Sequence, residues 1–322
     1  MTTPPFPTVP DDAVTFWRAE DGWPIRAARL FPPESAPRRG SILFLNGRAD
    51  HIEKYAEAMR GWADEGWVVD GFDWRGQGGS GRVAPAPMLG HIPDFELWLG
   101  DLRGYAADWR AAAPGPHVVI GHSMGGHLLL RALAEGRVEC DAAVLIAPML
   151  GLVAGGVPHA VARRLCEAVC ALGLSERPLW PESSRTPERE AALRERLTHS
   201  VERFAQEQAI RQARPDLAMD APSWGWLRAA YHLIERLEAP GLLERVATPV
   251  LILASRADRL VAAPAIEQVA RRLPRAQVHF YGAEAAHEIL READPVRDDA
   301  LARIGAFLED HAPPVAAAAE GR

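Results

Sequence analysis

A serine between two glycines is the first feature of this chain whose residue types and spacing could do chemistry. The stretch 121–125, Gly-His-Ser-Met-Gly, follows an apolar run and precedes a helical pattern. A sharp turn between a strand and a helix exposes a serine hydroxyl, and flanking glycines remove side chains that would clash there. Ser123 is therefore a candidate nucleophile. A pattern with three fixed positions also arises by chance, so the alternative is a small polar residue in a tight turn.

A serine hydroxyl becomes a good nucleophile only when a base removes its proton and a third group orients the base. For a serine on a strand-to-helix turn, the acid and then the histidine are expected later in the chain, each directly after a strand. Asp258 lies three residues beyond the apolar run 249–255, and His287 follows the run 277–281. Ser123, Asp258 and His287 are therefore predicted to form a catalytic triad that transfers an acyl group to water.

Other titratable residues near these positions are less suited to the same roles. His279 falls inside a strand pattern, and His122 should point away from the nucleophile and pack beneath it. Asp141 precedes a strand and would lie at the opposite edge of the sheet. Glu288, next to the predicted base, is expected at the surface or in a structural role. For Asp258 itself, the alternative is a solvated aspartate in a loop.

The negative charge that develops on an attacked carbonyl oxygen needs hydrogen-bond donors. The helix that begins after the serine offers the N–H of Met124 together with the positive end of its dipole. A second donor should come from the loop after the first buried strand, residues 46–51. Because Gly47 allows close backbone approach, the N–H of Arg48 is the predicted partner of Met124 in an oxyanion hole.

Short apolar runs must form the strands that position these residues. Continuous rather than alternating apolar character is typical of strands buried on both faces of a sheet. Such runs lie at 41–46, 67–73, 117–122, 142–147, 249–255 and 277–281. Amphipathic patterns typical of helices occur at 53–65, 95–112, 124–135, 263–273 and 295–311. Strands that alternate with helices predict an α/β fold, with a mostly parallel central sheet and helices on both faces.

A hairpin and a helical insertion complete the predicted architecture. Apolar runs at 14–19 and 24–31 flank an Asp-Gly turn signal, which predicts an antiparallel hairpin. Beyond 148 the alternation stops, and helical periodicity with clustered Trp and Leu takes over. The predicted divisions are an N-terminal core part (1–148), a helical insertion (149–246), a C-terminal core part (247–311) and a disordered tail (312–322).

Composition and charge exclude several function classes. The chain has 322 residues, 48% hydrophobic and 25% charged, and a net charge of −7, so it carries no electrostatic footprint for nucleic acid. All of its 36 basic residues except Lys54 are arginine, which indicates a GC-rich genome rather than phosphate binding. The glycine-rich loop 73–81 lacks the Gly-Lys-Ser/Thr end of a Walker motif. Asp73 and Arg75 are expected instead to pair or to brace the active-site loops.

Cysteine usage and the N-terminus bear on the compartment. Three cysteines, Cys140, Cys166 and Cys170, argue against a disulfide framework and fit a reducing environment. No nearby residue completes a tetrahedral metal set with them, so buried thiols are expected. The N-terminus lacks the pattern of a secretory signal, and no run approaches the roughly 20 apolar residues of a spanning helix. The protein is predicted to be cytoplasmic, with peripheral contact at the inner membrane face left open.

Several stretches of this sequence are similar to a known family. They are NGRADHIEKYAE (46–57), FDWRGQGGSGR (72–82), GHSMGGHLLLR (121–131), DAPSWGWLRAA (220–230) and AHEILRE (286–292). Together they resemble the monoacylglycerol lipase and lysophospholipase group of the α/β-hydrolase fold. The resemblance extends over about residues 14 to 310. One departure is Asn46-Gly47, where many relatives carry His-Gly.

The resemblance implies a role for each candidate residue. Ser123 would be the nucleophile, Asp258 the acid and His287 the base, with the N–H groups of Arg48 and Met124 as oxyanion donors. The insertion would form a lid over an acyl-binding cleft for a lipid-like ester, and transient membrane contact would suit such a lid. The predicted reaction needs neither a metal nor an organic cofactor.

Apolar side chains of the insertion are the candidates for an acyl-binding wall. The predicted substrate-binding residues are Leu150, Trp224, Trp226 and Tyr231, with Leu152, Val153, Leu165, Trp180 and Leu227 as further candidates. For each of them the alternative is packing of the insertion onto the core. Alternative functions with the same triad are hydrolysis of a small ester, lactone or thioester with a short acyl chain, and an aminopeptidase of the same fold.

Overall fold

The computed structural model describes residues 6–153, 155–180 and 186–314. In this part of the chain eight strands form one sheet, in the order β1-β2-β4-β3-β5-β6-β7-β8. The strands are β1 (Val14–Arg18), β2 (Pro24–Leu30), β3 (Gly40–Leu45), β4 (Trp67–Phe72), β5 (His117–His122), β6 (Ala142–Ile146), β7 (Val250–Ser255) and β8 (Ala276–Tyr281). From β4 to β8 all neighbouring strands run parallel, whereas β1 and β2 are antiparallel to their neighbours. The predicted hairpin and mostly parallel sheet are therefore confirmed.

The central strands have the burial that their apolar runs predict. Every residue of β3, β4, β6 and β7 is buried, because helices cover both faces of the sheet. The strand bounds differ from the predicted ones by one residue at several ends. The predicted helix at 53–65 is instead a 3-10 turn, Ile52–Tyr55, that leads into a shorter α-helix.

The helices of the described residues alternate with the strands, apart from one group. They are α1 (Ala56–Asp64), α2 (Glu96–Ala112), α3 (Met124–Ala134), α4 (His159–Ala171), α5 (Pro187–Leu197), α6 (Val201–Ala213), α7 (Trp224–Leu237), α8 (Ala263–Ala270) and α9 (Asp294–His311). Serine side chains cap two of them: Ser200 accepts from the N–H of Arg203 at the start of α6, and Ser223 from that of Trp226 at the start of α7. No helix in the described part of the chain has the length and apolar character needed to cross a membrane.

Helices α4 to α7 all lie between β6 and β7, which are hydrogen-bonded neighbours in the sheet. The helical insertion expected from the sequence therefore leaves and re-enters the sheet at adjacent strands. Its exact bounds of 149 and 246 stay a prediction. Ala312, at the start of the predicted tail, is buried, and 315–322 lie outside the described residues.

The glycine-rich loop after β4 braces its surroundings, as expected, but Asp73 and Arg75 do not pair with each other. Asp73 binds the guanidinium of Arg26 at 2.9 Å. Arg75 binds Asp21 at 2.5 Å and Asp101 at 2.7 Å, which ties the first hairpin to α2. Pairing, the first of the two expected alternatives, is therefore wrong, because each residue binds a charged partner on another element instead.

Candidate active site

Ser123 lies on a strained turn between β5 and α3. Its backbone has φ 51° and ψ −114°, in a region that residues with a side chain rarely adopt. The turn is held by its own peptide groups: the N–H of Ser123 donates to Ile146 at 2.9 Å, and its carbonyl accepts from His127 and Met149. Backbone strain of this kind concentrates at functional sites, where the surrounding structure maintains it.

Glycines allow the turn to pack against the neighbouring strand. A Cβ on Gly125 would lie 2.4 Å from the carbonyl oxygen of Leu45 and 2.5 Å from that of Asn46. A Cβ on Gly121 would lie 2.7 Å from the carbonyl oxygen of Gly125. Both contacts are closer than any side chain tolerates, so the flanking glycines let α3 start directly against the end of β3.

Three separate loops bring a serine, a histidine and an aspartate into a hydrogen-bonded row. The Nε2 atom of His287 lies 2.9 Å from the hydroxyl oxygen of Ser123. The Nδ1 atom of the same ring lies 2.7 Å from Oδ2 of Asp258. The residues follow β5, β7 and β8, whose carboxyl ends meet at one edge of the parallel sheet. The three side chains predicted as a triad are therefore in contact in the predicted order.

The carboxylate of Asp258 is held rigidly and in its charged form. Its Oδ1 atom accepts the N–H groups of Leu260 at 2.7 Å and Val261 at 3.0 Å, which leaves Oδ2 for the imidazole. Burial alone would raise the pKa of Asp258, but the charge and hydrogen bond of His287 together with these N–H groups lower it. Asp258 is thus a buried, fully partnered carboxylate rather than a solvated loop residue.

The contact between Asp258 and His287 shifts the pKa of the histidine in the opposite direction. Burial alone would lower the pKa of His287, but the charge and hydrogen bond of Asp258, followed by the charges of Glu288 and Asp50, raise it above the ordinary value of a histidine. His122 packs against this ring, with centroids 4.9 Å apart, and its own burial lowers its pKa to about 3. His122 therefore stays neutral and adds no competing charge near the base.

The loop after β3 lies against Ser123, where an oxyanion hole would have to be. A Cβ on Gly47 would lie 2.8 Å from Oδ2 of Asp50 and 3.2 Å from the Cβ of Ser123, so glycine lets the loop approach this closely without displacing its neighbours. The N–H of Gly47 donates to Asp50 and that of Ala49 to Gln77, which fixes the loop on both sides of Arg48. Met124 is the first residue of α3, and N–H groups in a first helical turn have no intrahelical acceptor.

The predicted substrate-binding residues are not gathered in one place. Leu150 is buried beside the nucleophile turn, since the N–H of the preceding Met149 donates to the carbonyl of Ser123. Trp226 is buried against Phe95, with ring centroids 5.6 Å apart. Trp226 therefore packs onto the core, which was the alternative to a substrate contact.

The other two predicted wall residues belong to a small apolar cluster within the insertion. Tyr231 is buried with Ala162 and Cys166, and Trp224 packs against them from the partly exposed side. Three further candidates, Val153, Leu165 and Trp180, are exposed. Of the four predicted residues, Leu150 is the one that directly follows a residue hydrogen-bonded to Ser123, namely Met149.

One group of functional interest was missed by sequence reasoning: a buried ion cluster around Lys54. Its side chain lies within 2.6 Å of both Asp50 and Glu288. Glu288 therefore has a structural role, which was one of the two expected alternatives, and it does not lie at the surface. The signal in the sequence was the single lysine among so many arginines. Among the described residues, no three His, Cys, Asp or Glu side chains lie together so that they could hold a metal ion.

Comparisons with known proteins agree with this geometry. The chain matches the Hydrolase_4 family, described as serine aminopeptidase, S33, over residues 36–294. A probable lysophospholipase L2 of Haemophilus influenzae is 28% identical over 282 residues, covering 87% of this chain and 86% of that protein. Lysophospholipase L2 of Escherichia coli K12 is 29% identical over 323 residues, covering 93% and 90%.

A solved structure supports the same fold. A soluble variant of monoglyceride lipase from Saccharomyces cerevisiae, determined with a substrate analog, has a TM-score of 0.75 at 18% identity. The match covers 96% of this chain and 99% of that one. The α/β-hydrolase fold expected from the sequence is confirmed. Because the family match extends over most of the sequence, the chain belongs to the Hydrolase_4 family of serine hydrolases.

Proposed function

We propose that this protein hydrolyses carboxylic esters of lipids through an acyl-enzyme on Ser123. The observation that carries the proposal is the row of hydrogen bonds from Asp258 through His287 to Ser123 on a strained turn. A hydroxyl paired with an oriented imidazole is the arrangement that makes serine a nucleophile at neutral pH.

The acylation half of the reaction follows from these contacts. Neutral His287 takes the hydroxyl proton at Nε2 as the oxygen of Ser123 attacks the ester carbonyl carbon. The imidazolium that forms is stabilised by the buried carboxylate of Asp258. The carbonyl oxygen becomes an oxyanion, for which the N–H groups of Arg48 and Met124 are the proposed donors. His287 then gives the proton to the departing alcohol, and the carbonyl is restored as an acyl ester of the serine.

Deacylation uses the same groups in a second cycle. His287 removes a proton from a water molecule, whose oxygen attacks the acyl carbon, and then returns that proton to the oxygen of Ser123. The products are a carboxylic acid and the regenerated enzyme. These steps require only protein groups and water.

The lipid character of the substrate is supported by the relatives. Those that cover most of the chain are named lysophospholipase L2 and the solved structure monoglyceride lipase, so we propose a lysophospholipid or a monoacylglycerol as the ester. Leu150, beside the nucleophile turn, is proposed to contact the acyl chain. Trp224, Trp226 and Tyr231 stay proposed substrate contacts, which their packing makes dependent on movement of the insertion.

A series of p-nitrophenyl esters tests the substrate class. We expect kcat/KM to rise from acetate to octanoate and beyond, because each buried methylene contributes about 0.8 kcal/mol to binding. The measurement is initial rates below the critical micelle concentration of each ester. A steep preference for acetate would contradict a lipid ester as the substrate and favour a small ester, lactone or thioester.

The description of the family gives a reason to include a peptidase substrate. Hydrolase_4 is described as serine aminopeptidase, so aminoacyl anilides belong in the same series. Anilide hydrolysis that exceeds ester hydrolysis would identify an aminopeptidase. Ester hydrolysis alone would support the proposed function.

Transient contact with a lipid surface is part of the proposal. Large apolar side chains are exposed along one stretch of the insertion: Val153, Val157, Val161, Leu165, Leu172, Leu174 and Trp180. Within it, Leu165 and Leu172 are two helical turns apart on α4 and its C-terminal end. An exposed apolar stripe of this kind suits the boundary between head groups and acyl chains.

Replacing Leu165 and Leu172 by serine together should weaken binding to phosphatidylcholine vesicles about tenfold or more, since burying one leucine contributes about 1.5–3 kcal/mol. Co-sedimentation with the vesicles measures this binding. Hydrolysis of p-nitrophenyl butyrate in solution should stay at the wild-type rate. Phe31→Ser, on the exposed side of the first hairpin, is the matched control and should bind like wild type. Equal binding by all three proteins would contradict contact through α4.

A further inference from the structure

Lys54 is the sole lysine of the chain, and its side chain is buried. Every other one of the 36 basic residues is arginine. Lys54 lies in the turn Ile52–Tyr55 and is only 4% exposed. A buried ammonium group is costly unless carboxylates surround it at hydrogen-bonding distance. The surroundings of Lys54 therefore indicate why a lysine stands here.

Three carboxylates from three separate segments meet this ammonium group. Lys54 Nζ donates to Oδ1 of Asp50 and to Oε1 of Glu288, both at 2.6 Å. A third oxygen, Oε2 of Glu207, lies 3.2 Å away. The ammonium group thus donates hydrogen bonds to two carboxylates and forms an ion pair with the third. Asp50 belongs to the loop after β3, Glu288 to the loop after β8, and Glu207 to helix α6.

Two of these carboxylates are connected to parts that the proposed reaction needs. Oδ2 of Asp50 accepts the N–H of Gly47 at 3.0 Å, and Gly47 lies against Ser123. Glu288 is the residue next to His287, and its own N–H donates to Leu197 at the end of α5. The oxyanion loop and the histidine loop are therefore both joined to the insertion at this point.

We propose that Lys54 is a positioning residue that holds the oxyanion loop, the His287 loop and helix α6 in one arrangement by binding a carboxylate of each. The inference rests on the proposed function, because these loops are catalytic only if Ser123 is acylated. Lysine suits the position because its charge is compact and can meet carboxylates from three directions, whereas a guanidinium is planar. The insertion is thereby coupled to the two loops that act on the ester carbonyl.

The charge of Lys54 also affects the base. The charged or titratable groups that face His287 come from four segments: Asp258, His122, Asp50 and Glu288. Burial raises the pKa of Glu288, and Lys54 is the largest charge that opposes this shift, so loss of the ammonium group raises the pKa of this carboxyl further and favours its protonated form. A protonated Glu288 no longer contributes its negative charge, so the pKa of His287 falls when Lys54 is lost. A purely structural defect would lower turnover at every pH without moving the acid limb.

The test combines hydrogen exchange with a pH profile for Lys54→Met. We expect faster amide exchange in residues 47–51, in residues 287–292 and in α6, all in the same variant. The kcat on a short ester should fall about 10²-fold at little change in KM, because misplacement of catalytic groups costs about that much. The acid limb of kcat/KM should move to lower pH, because Glu288 then no longer raises the pKa of His287. Lys54→Arg keeps the charge and should return the limb to its wild-type position.

Two further variants keep the test decisive if Lys54→Met folds poorly. Glu207→Gln removes the carboxylate on α6, which also lies 3.8 Å from Arg291 and 3.9 Å from Arg211, and leaves both loop carboxylates of Lys54 in place. It should raise KM for a long-chain ester more than it lowers kcat on a short one. Arg131→Met removes another buried cation between two carboxylates, Glu96 and Glu135, away from both loops, and should not move the acid limb.

The proposal is overturned if Lys54→Met changes exchange only around residues 52–55 and leaves the acid limb in place. If the wild-type protein neither hydrolyses esters nor reacts at Ser123, the proposed function fails instead. The exchange measurement then still decides whether Lys54 holds the three segments together.

Discussion

Replacing Ser123 by alanine is expected to abolish ester hydrolysis and covalent labelling by a fluorophosphonate at the same time. Loss of the nucleophile in a triad typically lowers kcat about 10⁶-fold, because no other group can carry the acyl chain. The fold should persist, since the hydroxyl loses only its contact with His287 at 2.9 Å. Intact mass after labelling, together with kcat on a p-nitrophenyl ester, measures both effects.

The matched control for this change is Ser41→Ala, a buried serine at the opposite edge of the sheet. Its hydroxyl donates to the carbonyl of Pro114 and should not affect labelling. Adding His287→Ala to Ser123→Ala should cost no further activity, because members of one triad act as a unit. Labelling that survives in Ser123→Ala would refute the nucleophile assignment.

Asp258→Asn is expected to lower kcat about 10⁴-fold while leaving the fold intact. An amide N–H facing Nδ1 of His287 would favour the tautomer that carries its proton on Nε2, which cannot accept the proton of Ser123. Because the carboxylate raises the pKa of the base, the acid limb of the residual activity should move to lower pH. A pH profile of kcat/KM measures this shift.

The asparagine keeps an oxygen for the N–H groups of Leu260 and Val261, so the melting temperature should change little. Asp141→Asn is the control, because that side chain accepts the N–H of His117 at the other edge of the sheet. An acid limb that does not move, at wild-type kcat, would show that Asp258 does not orient the base.

The triad was predictable from sequence because of how a parallel sheet is built. Buried strands appear as continuous apolar runs, and their carboxyl ends share one edge, so residues that follow different strands can meet. Ser123, Asp258 and His287 each follow such a run. The order of the strands was not predictable in the same way, since the place of β4 between β2 and β3 leaves no local pattern.

Contacts between distant segments were beyond sequence reasoning. The cluster at Lys54 joins residues 50, 207 and 288, and no periodicity relates these positions. For Trp226 and Tyr231, an apolar residue in an insertion has the same appearance whether it faces a ligand or another helix. Only the packing of Trp226 on Phe95, and of Tyr231 within its cluster, separates the two cases.

The direct pairing of β6 with β7 has an evolutionary consequence. The register from Ala143↔Val250 to Ile146↔Leu253 is continuous, so the pairing of these two strands uses no residue of the long segment between them. Descendants of this chain could lengthen, shorten or exchange that segment and so take up different esters while the same three residues cleave them. Any such replacement would have to supply a carboxylate for Lys54 again. This ion cluster is therefore the place where the inherited catalytic loops and a changing substrate-binding segment have to remain compatible.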